Sequence, residues 1–147
     1  RYLMAESGLL VADVRATKFM GRNHFVLVNA GFNDLMRPAM YGSYHAISLI
    51  PADDEVRPVR KTVVAGPLCE SGDVFTQKEG GTLAPVSLPA AKVGDLLVFH
   101  DTGAYGAAMS SNYNSRPLAA EVLLDGDQER LIRRRQTIED LMQLEEV

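Results

Sequence analysis

Short runs of apolar and β-branched residues, separated by Gly- and Pro-containing turns, account for most of the chain. Such runs at roughly ten-residue spacing predict a mainly β fold, either a barrel or a sandwich. Residues 24–29 are apolar on both faces of the predicted strand, which favours a central position in the sheet. A turn is predicted at 20–23. The full set of predicted strands is 9–17, 24–29, 44–50, 62–65, 95–99, 119–124 and 130–134.

Helical patterns are confined to the two ends of the chain. Thr137, followed by two acidic residues, resembles an N-cap, which predicts a short terminal helix. Apolar residues follow it at helical spacing: Ile138, Leu141, Met142, and either Leu144 or Val147. A second short helix is predicted within 2–7, closed by Gly8. The basic run 133–135 lies beside the acidic helix and is interpreted as a solvated or ion-paired face.

Composition and charge argue against several classes of function. The 147 residues suit one domain, and the 46% hydrophobic share is enough for a core. A net charge of −4 disfavours nucleic-acid binding, and the apolar runs are too short for a membrane span. The single cysteine, Cys69, excludes an internal disulfide and a multi-cysteine zinc site. The histidines lack metal-ligand spacing, so no metal is expected. We expect a soluble cytoplasmic protein, cut at Arg1 from a longer chain.

The first segment with candidate chemistry is 33–41, which follows a strand and a turn-forming glycine. Arg37 and Tyr41 lie four residues apart, so one helical turn directs both side chains the same way. A guanidinium and a phenol together suit a carboxylate ligand. The alternative is an arginine paired with a surface acid and a tyrosine packed on an edge.

The second segment is 66–73, Gly-Pro-Leu-Cys-Glu-Ser-Gly-Asp, directly after a predicted strand. Loops at strand ends commonly carry function. Cys69 has the chemistry of a proton donor or a nucleophile, and Glu70 that of an ammonium ligand. The alternative is that Cys69 is a small buried apolar residue.

The third segment is 101–106, Asp-Thr-Gly-Ala-Tyr-Gly, with 112–117 further along the chain. Small residues after a strand permit close backbone approach, and the Tyr105 hydroxyl suits a phosphate. The alternative is a glycine-rich turn with a packed tyrosine. Neither nucleotide-binding glycine motif occurs, so nucleotide binding is not supported.

In order and spacing, these segments and residues 131–137 resemble the bacterial diaminopimelate decarboxylases, along essentially the whole chain. That family carries out the last step of lysine biosynthesis. It is of the alanine racemase and ornithine decarboxylase type, with an N-terminal (β/α)₈ barrel and a C-terminal β-domain. The resemblance implies that 1–147 is the C-terminal β-barrel or sandwich domain with short helices, and that 1–8 ends the barrel portion.

The resemblance also implies a cofactor and a reaction. The cofactor is pyridoxal 5'-phosphate, held by a lysine in the barrel. The lysines of this chain have no matching context: Lys18, Lys61, Lys78 and Lys92. The implied reaction converts meso-diaminopimelate to L-lysine and CO₂, and the isolated fragment is predicted to be inactive.

Four residues take binding roles by the resemblance. Arg1 is similar to an arginine that binds a substrate carboxylate. Arg37 and Tyr41 are similar to residues that hold the distal end of the substrate. Tyr105 is similar to a tyrosine near the cofactor phosphate and the substrate.

Two further residues imply a shared site. Cys69 resembles the residue that protonates the reacting carbon after CO₂ leaves, and Glu70 the contact for the distal ammonium. In the family both reach the partner's active site, which implies a homodimer. One departure is Asn29, where the family usually has Asp. It affects local hydrogen bonding and not the reaction.

Two other functions remain open from the residues alone. One is a decarboxylase of the same fold that acts on another diamino acid or a polyamine precursor. The Arg37–Tyr41 pair, which suits a distal carboxylate, weakens that reading. The other is a non-catalytic β-domain that serves dimerisation or binding, since no lysine here is placed to anchor the cofactor.

Overall fold

The computed structural model describes residues 1–146. These residues form two compact units, one from Arg1 to Ser110 and one from Ser111 onward. Val147, one of the two alternative final positions of the predicted terminal helix, lies outside the described residues. Within 1–146, no helix has the length and apolar character that a membrane span requires.

The first unit is built mainly from six strands. It also has two short helices and two 3₁₀ turns, at Glu79–Gly81 and Ala107–Met109. The helices are α1 (Tyr2–Ala5) and α2 (Arg37–Tyr41). The strands are β1 (Leu10–Met20), β2 (Asn23–Val28), β3 (Ile47–Ile50), β4 (Val59–Ala65), β5 (Val86–Pro89) and β6 (Leu96–Phe99).

The six strands form one sheet in the order β3-β6-β1-β2-β4-β5. The β2–β4 pair is parallel, and the other neighbours are antiparallel. The two edge strands, β3 and β5, approach each other, so the sheet is a nearly closed barrel. The predicted mainly β, barrel-like fold with short helices is confirmed, as is the central position of β2.

The core lies on the inner face of this sheet. Alternate residues of β1, Ala12 and Val14, are buried there, as period-2 strand geometry requires. They pack in one cluster with Phe75 and Phe99, whose ring centres lie 4.4 Å apart. Each fully buried Val or Phe side chain contributes about 1.5–3 kcal/mol relative to exposure. This rigid barrel carries the loops that hold the candidate site.

The structure differs from the predicted strands at two places: one strand was not predicted, and another is shorter than predicted. Residues 86–89 were not predicted as a strand, because Pro89 and the short length weaken the signal; they form edge strand β5, anchored by buried Leu88. The predicted strand 44–50 is shorter in the structure and begins at Ile47. The preceding residues leave the ladder because His45 turns inward and bonds to the carbonyl of His100.

The second unit is a β-hairpin followed by a helix. Its elements are a 3₁₀ turn at Tyr113–Ser115, β7 (Glu121–Asp125), β8 (Gln128–Arg133) and α3 (Ile138–Leu141). Thr137 caps α3 through a reciprocal capping box with Asp140, so the predicted helix start is confirmed. Arg133 pairs with Glu121 at 3.0 Å, and Arg134 bonds Asp140 at 2.8 Å. The ion-paired interpretation of the basic run is thereby confirmed for these two arginines.

Candidate functional site

Arg37 occupies the centre of a small cluster of polar and aromatic side chains. Its guanidinium lies 5.3 Å from the ring centre of Tyr41, on the same helical turn, as the spacing predicted. On the 101–106 loop, the ring centre of Tyr105 lies 5.4 Å from the same guanidinium. The Arg37 Nη2 atom donates a hydrogen bond to Ser43 Oγ at 3.1 Å. The flat guanidinium therefore has a fixed direction, as stacking on aromatic faces provides.

Helix α2 holds this cluster because its base is buried. Leu35, just before the helix, is fully buried, and Pro38 is buried in the first turn. Proline suits this position because it has no N–H to leave unsatisfied. Gly42 ends the helix in the left-handed conformation and turns the chain back toward Ser43.

A cavity of about 280 Å³ opens beside Arg37. Its wall includes two guanidinium groups, a histidine and one carboxylate, from Arg1, Arg37, His45 and Asp101. Two arginines facing one space suit a planar anion such as a carboxylate or a phosphate. The structure thus brings together two of the candidate binding residues, Arg1 and Arg37, with Tyr41 and Tyr105 packed on the second.

The loop that carries Tyr105 is fixed against the start of the chain. The Thr102 N–H donates to the Gly8 carbonyl, and the Gly103 N–H donates to the Ala5 carbonyl. The two backbones touch so closely that a Cβ on Gly8 would lie 2.4 Å from Gly103 Cα. Tyr105 adopts φ of 65°, an uncommon conformation for a tyrosine that tends to occur at functional sites.

The Cys69–Glu70 loop follows β4 and presents a different surface. Cys69 is a free, exposed thiol, so the interpretation of it as a buried apolar residue is wrong. Glu70 accepts hydrogen bonds from the Gly72 N–H and the Ser71 hydroxyl. These bonds hold the pKa of the Glu70 carboxyl below its usual value, so it stays ionised. Neither residue lines the cavity of Arg1 and Arg37.

Three polar residues of the cavity wall, Ser43, Tyr44 and His45, are not among the predicted site residues. His45 is buried, and its Nδ1 donates to the His100 carbonyl at 2.8 Å. Their signal was their position directly after α2, where the left-handed Gly42 returns the chain toward Arg37.

Within residues 1–146, the structure has neither a lysine in the wall of this cavity nor a cluster of side chains arranged to bind a metal ion. No lysine of residues 1–146 is among its lining side chains. Lys92, for example, is paired with Asp53 and Glu55. Across the same residues, no group of three or more His, Cys, Asp or Glu side chains is arranged to hold a metal.

The unusual Asn29 has a specific partner. Its side-chain Nδ2 donates to Asp13 Oδ2 at 2.6 Å, and its Oδ1 accepts from the Asp13 N–H at 2.9 Å. The amide therefore serves as donor and acceptor at once, which a carboxylate does not. This contact joins the residue after β2 to the interior of β1, and neither residue lines the cavity.

Comparison with known proteins gives a consistent result. The model for the C-terminal sheet domain of pyridoxal-dependent decarboxylases matches residues 1–103. Diaminopimelate decarboxylase of Escherichia coli (strain K12) is 68% identical over 148 aligned residues, which cover 99% of this chain and 35% of that protein.

Solved structures agree with the sequence comparison. A crystal structure of a diaminopimelate decarboxylase matches with a TM-score of 0.94 at 67% identity, over 98% of this chain and 35% of that one. The Helicobacter pylori diaminopimelate decarboxylase complexed with L-lysine matches with a TM-score of 0.83 at 40% identity, over 97% and 33%. The chain therefore spans about a third of the length of the proteins that it matches.

Proposed function

The chain belongs to the pyridoxal-dependent decarboxylases, with the fold of their C-terminal sheet domain, and we propose that the whole protein converts meso-diaminopimelate to L-lysine and CO₂. The 68% identity to a diaminopimelate decarboxylase supports this substrate. The structural observation that carries the proposal is the Arg37 guanidinium, which lies over the rings of both Tyr41 and Tyr105 at a cavity shared with Arg1.

One donor next to this cavity, Tyr105, fits the phosphate of pyridoxal 5'-phosphate, since the preceding residue, Ala104, lines the cavity. Tyr105 lies beside Arg37, which is assigned to the substrate carboxylate, and the Tyr105 phenol suits a phosphate oxygen as a hydrogen-bond donor. When bound, pyridoxal phosphate accepts the electrons left on Cα as the carboxylate departs as CO₂. Tyr105 would contact the phosphate, and the anchoring lysine would come from outside residues 1–147.

Substrate selection follows from charge. Diaminopimelate has a second ammonium and a second carboxylate, far from the reacting carbon. Arg1, Arg37 and Tyr41 supply carboxylate ligands, and the ionised Glu70 supplies an ammonium ligand. A shorter monoamino substrate leaves these groups unpaired, which lowers its rate by large factors.

Cys69 is the proposed proton donor to Cα after CO₂ leaves. Its thiol is exposed and lies outside the Arg1–Arg37 cavity, as does Glu70. Both residues would therefore complete the active site of a second copy of the chain. This arrangement requires a homodimer with active sites at the subunit interface.

The proposed organisation of the protein is an N-terminal (β/α)₈ barrel that precedes this domain. Residues 1–8 would end the barrel portion and the rest of the chain would form the C-terminal β-domain. The proposed location is the cytoplasm, where amino-acid biosynthesis supplies the substrate.

The test is a decarboxylation assay of the full-length protein with pyridoxal phosphate. Meso-diaminopimelate, lysine and ornithine are compared in parallel, and CO₂ and the amine product are measured. We expect rapid turnover of meso-diaminopimelate alone. Turnover of lysine or ornithine instead would identify a decarboxylase of another diamino acid. Absence of CO₂ from all three substrates would favour a non-catalytic β-domain.

A further inference from the structure

The Cys69–Glu70 loop and the segment that leads to Arg37 meet at one buried carboxylate. Asp73 is 3% exposed. Its Oδ2 accepts a hydrogen bond from the Leu68 N–H at 2.8 Å, within its own loop. Its Oδ1 accepts from the Phe32 N–H at 2.8 Å, in the segment before α2. Each oxygen therefore holds one of the two segments that carry candidate site residues.

The loop closes tightly around this carboxylate. The Gly66 N–H donates to the Asp73 carbonyl at 2.9 Å, and the Asp73 N–H donates to the Glu70 carbonyl at 3.1 Å. A Cβ on Gly66 would lie 2.2 Å from Asp73 Oδ2, so residue 66 must be glycine for the carboxylate to sit there. Cys69 and Glu70 form the part of the loop that projects outward.

The other segment is equally well defined. Phe32 lies in a turn in which the Asp34 and Leu35 N–H groups both donate to the Gly31 carbonyl. Leu35 is fully buried, and Arg37 follows two residues later at the start of α2. A shift of Phe32 would therefore displace the turn that precedes α2, and with it Arg37 at the start of that helix.

We propose that Asp73 is a positioning residue, which fixes the position of the Cys69–Glu70 loop relative to the Arg37–Tyr41 helix. This inference rests on the proposed function. Hydrogen bonds to a charged acceptor are roughly twice as strong as neutral ones. The buried carboxylate of Asp73 accepts two of them. In a homodimer, Asp73 would thereby fix the distance between Cys69, which serves the partner's active site, and Arg37, which serves the active site of its own subunit.

The test uses Asp73→Asn in the full-length protein. An amide has the same shape but only one oxygen acceptor, and its NH₂ group opposes one of the two backbone N–H donors. Since a misplacement of 1 Å costs about 10²-fold in rate, we expect kcat to fall by about that factor. We expect KM for meso-diaminopimelate to rise as Glu70 moves, with an unchanged absorbance of the bound cofactor.

Asp95→Asn is the matched control. Asp95 is equally buried and also accepts two backbone N–H bonds, from Ala52 at 2.9 Å and Lys92 at 2.7 Å. It pairs with Arg57 in addition but contacts neither site segment, so it tests whether the loss of any buried carboxylate lowers the rate. Both variants are assayed at a temperature where circular dichroism shows them folded. We expect kcat and KM of Asp95→Asn to equal those of the wild type. Equal kinetic losses in both variants, or unchanged kinetics in Asp73→Asn, would overturn the inference.

Hydrogen exchange separates this inference from the proposed function. In Asp73→Asn, the amides of Leu68 and Phe32 should exchange faster, and in Asp95→Asn they should not. A wild-type protein without decarboxylase activity would refute the proposed function, whereas unaltered exchange at both amides would refute the role of Asp73. If Asp73→Asn does not fold, Gly66→Ala displaces the carboxylate and is expected to change kcat and exchange in the same direction.

Discussion

The guanidinium of Arg37 lies 5.4 Å from the ring centre of Tyr105, although the two residues are far apart in the sequence. The ring centre of Tyr41 lies 5.3 Å from the same guanidinium. A guanidinium held against aromatic faces keeps its planar fork in one orientation at little entropic cost. An orientated fork binds a carboxylate with two parallel hydrogen bonds.

Arg37→Lys in the full-length protein tests this geometry. An ammonium neither stacks in the same way nor binds a carboxylate with two hydrogen bonds, so substrate affinity should fall. Hydrogen bonds to charged groups contribute about 1.5–3 kcal/mol, which corresponds to a rise in KM of roughly 10- to 150-fold. Arg60→Lys is the control, because Arg60 also stacks on an aromatic ring, 5.7 Å from the centre of Phe19, but lies away from the cavity. A similar KM for both variants would contradict the role of Arg37.

Cys69→Ala should separate catalysis from cofactor capture. If the exposed thiol donates its proton after CO₂ leaves, its loss should lower kcat by ~10²–10⁴-fold, the usual value of a general acid. The absorbance of bound pyridoxal phosphate should stay as in the wild type. Cys69→Ser keeps a proton donor and should recover part of the rate. An unchanged kcat in Cys69→Ala would remove this thiol from the mechanism.

The sequence predicted the barrel-like fold because its strongest signals are local. Strand β2 is apolar on both faces, and the structure places it in the middle of the sheet. Strand β5 gave no such signal, because its four residues end in Pro89 and only Leu88 is buried. Its pairing with β4 depends on the tertiary fold.

The same distinction applies to the candidate site. Arg37 and Tyr41 lie on one helical turn, so their proximity follows from spacing alone. The contact of Arg37 with Tyr105 and the bond from the Phe32 N–H to Asp73 join distant segments. No local pattern encodes such contacts, and so the carboxylate of Asp73 was not singled out within its motif.

Asn29→Asp should destabilise the domain. The amide of Asn29 donates to the Asp13 carboxylate, and an aspartate would place two carboxylates within hydrogen-bond distance. A hydrogen bond to a charged acceptor is worth about 1.5–3 kcal/mol, and the two carboxylates of the variant repel each other. The double variant Asp13→Asn/Asn29→Asp, the exchanged variant, again places one amide donor opposite one carboxylate. Thermal midpoints of both variants check this, and an equal loss in the exchanged variant would argue against the pair.

Acid should weaken the fold through Asp95. Burial raises the pKa of this carboxyl, but hydrogen bonds from Arg57 and the N–H groups of Lys92 and Ala52 outweigh burial and lower it. Because the folded pKa lies below the unfolded one, the stabilisation is present above pH ~4 and is lost as the pH falls through the folded pKa. Asp95→Asn should therefore lower the thermal midpoint at pH 7 and flatten its decline in acid.

The control for this prediction is Asp54→Asn, because Asp54 is exposed in the loop that contains Ala52, a hydrogen-bond donor to Asp95. Its thermal midpoint should follow the wild-type curve at every pH. A decline in acid that is equally steep in Asp95→Asn would show that other carboxyl groups govern the acid sensitivity.

The position of Glu70 predicts complementation between two inactive variants. Glu70 and Cys69 lie outside the cavity that Arg1 and Arg37 line, so a homodimer with shared sites would use them in the neighbouring subunit. One full-length variant lacks the lysine that is proposed to anchor the cofactor in the N-terminal part, and the other has Glu70→Ala. Each variant alone forms dimers with two defective sites.

A mixed dimer behaves differently in the two possible arrangements. If Glu70 serves the partner, one site combines the intact lysine with the intact Glu70, and the other site holds both defects. Random subunit exchange makes half of the dimers mixed, so about a quarter of the wild-type activity should return. If Glu70 served its own subunit, each site of a mixed dimer would hold one defect and no activity would appear. Decarboxylation of meso-diaminopimelate, with the mixed dimer quantified by native mass spectrometry, measures the outcome; mixed dimers without activity would show that Glu70 acts locally.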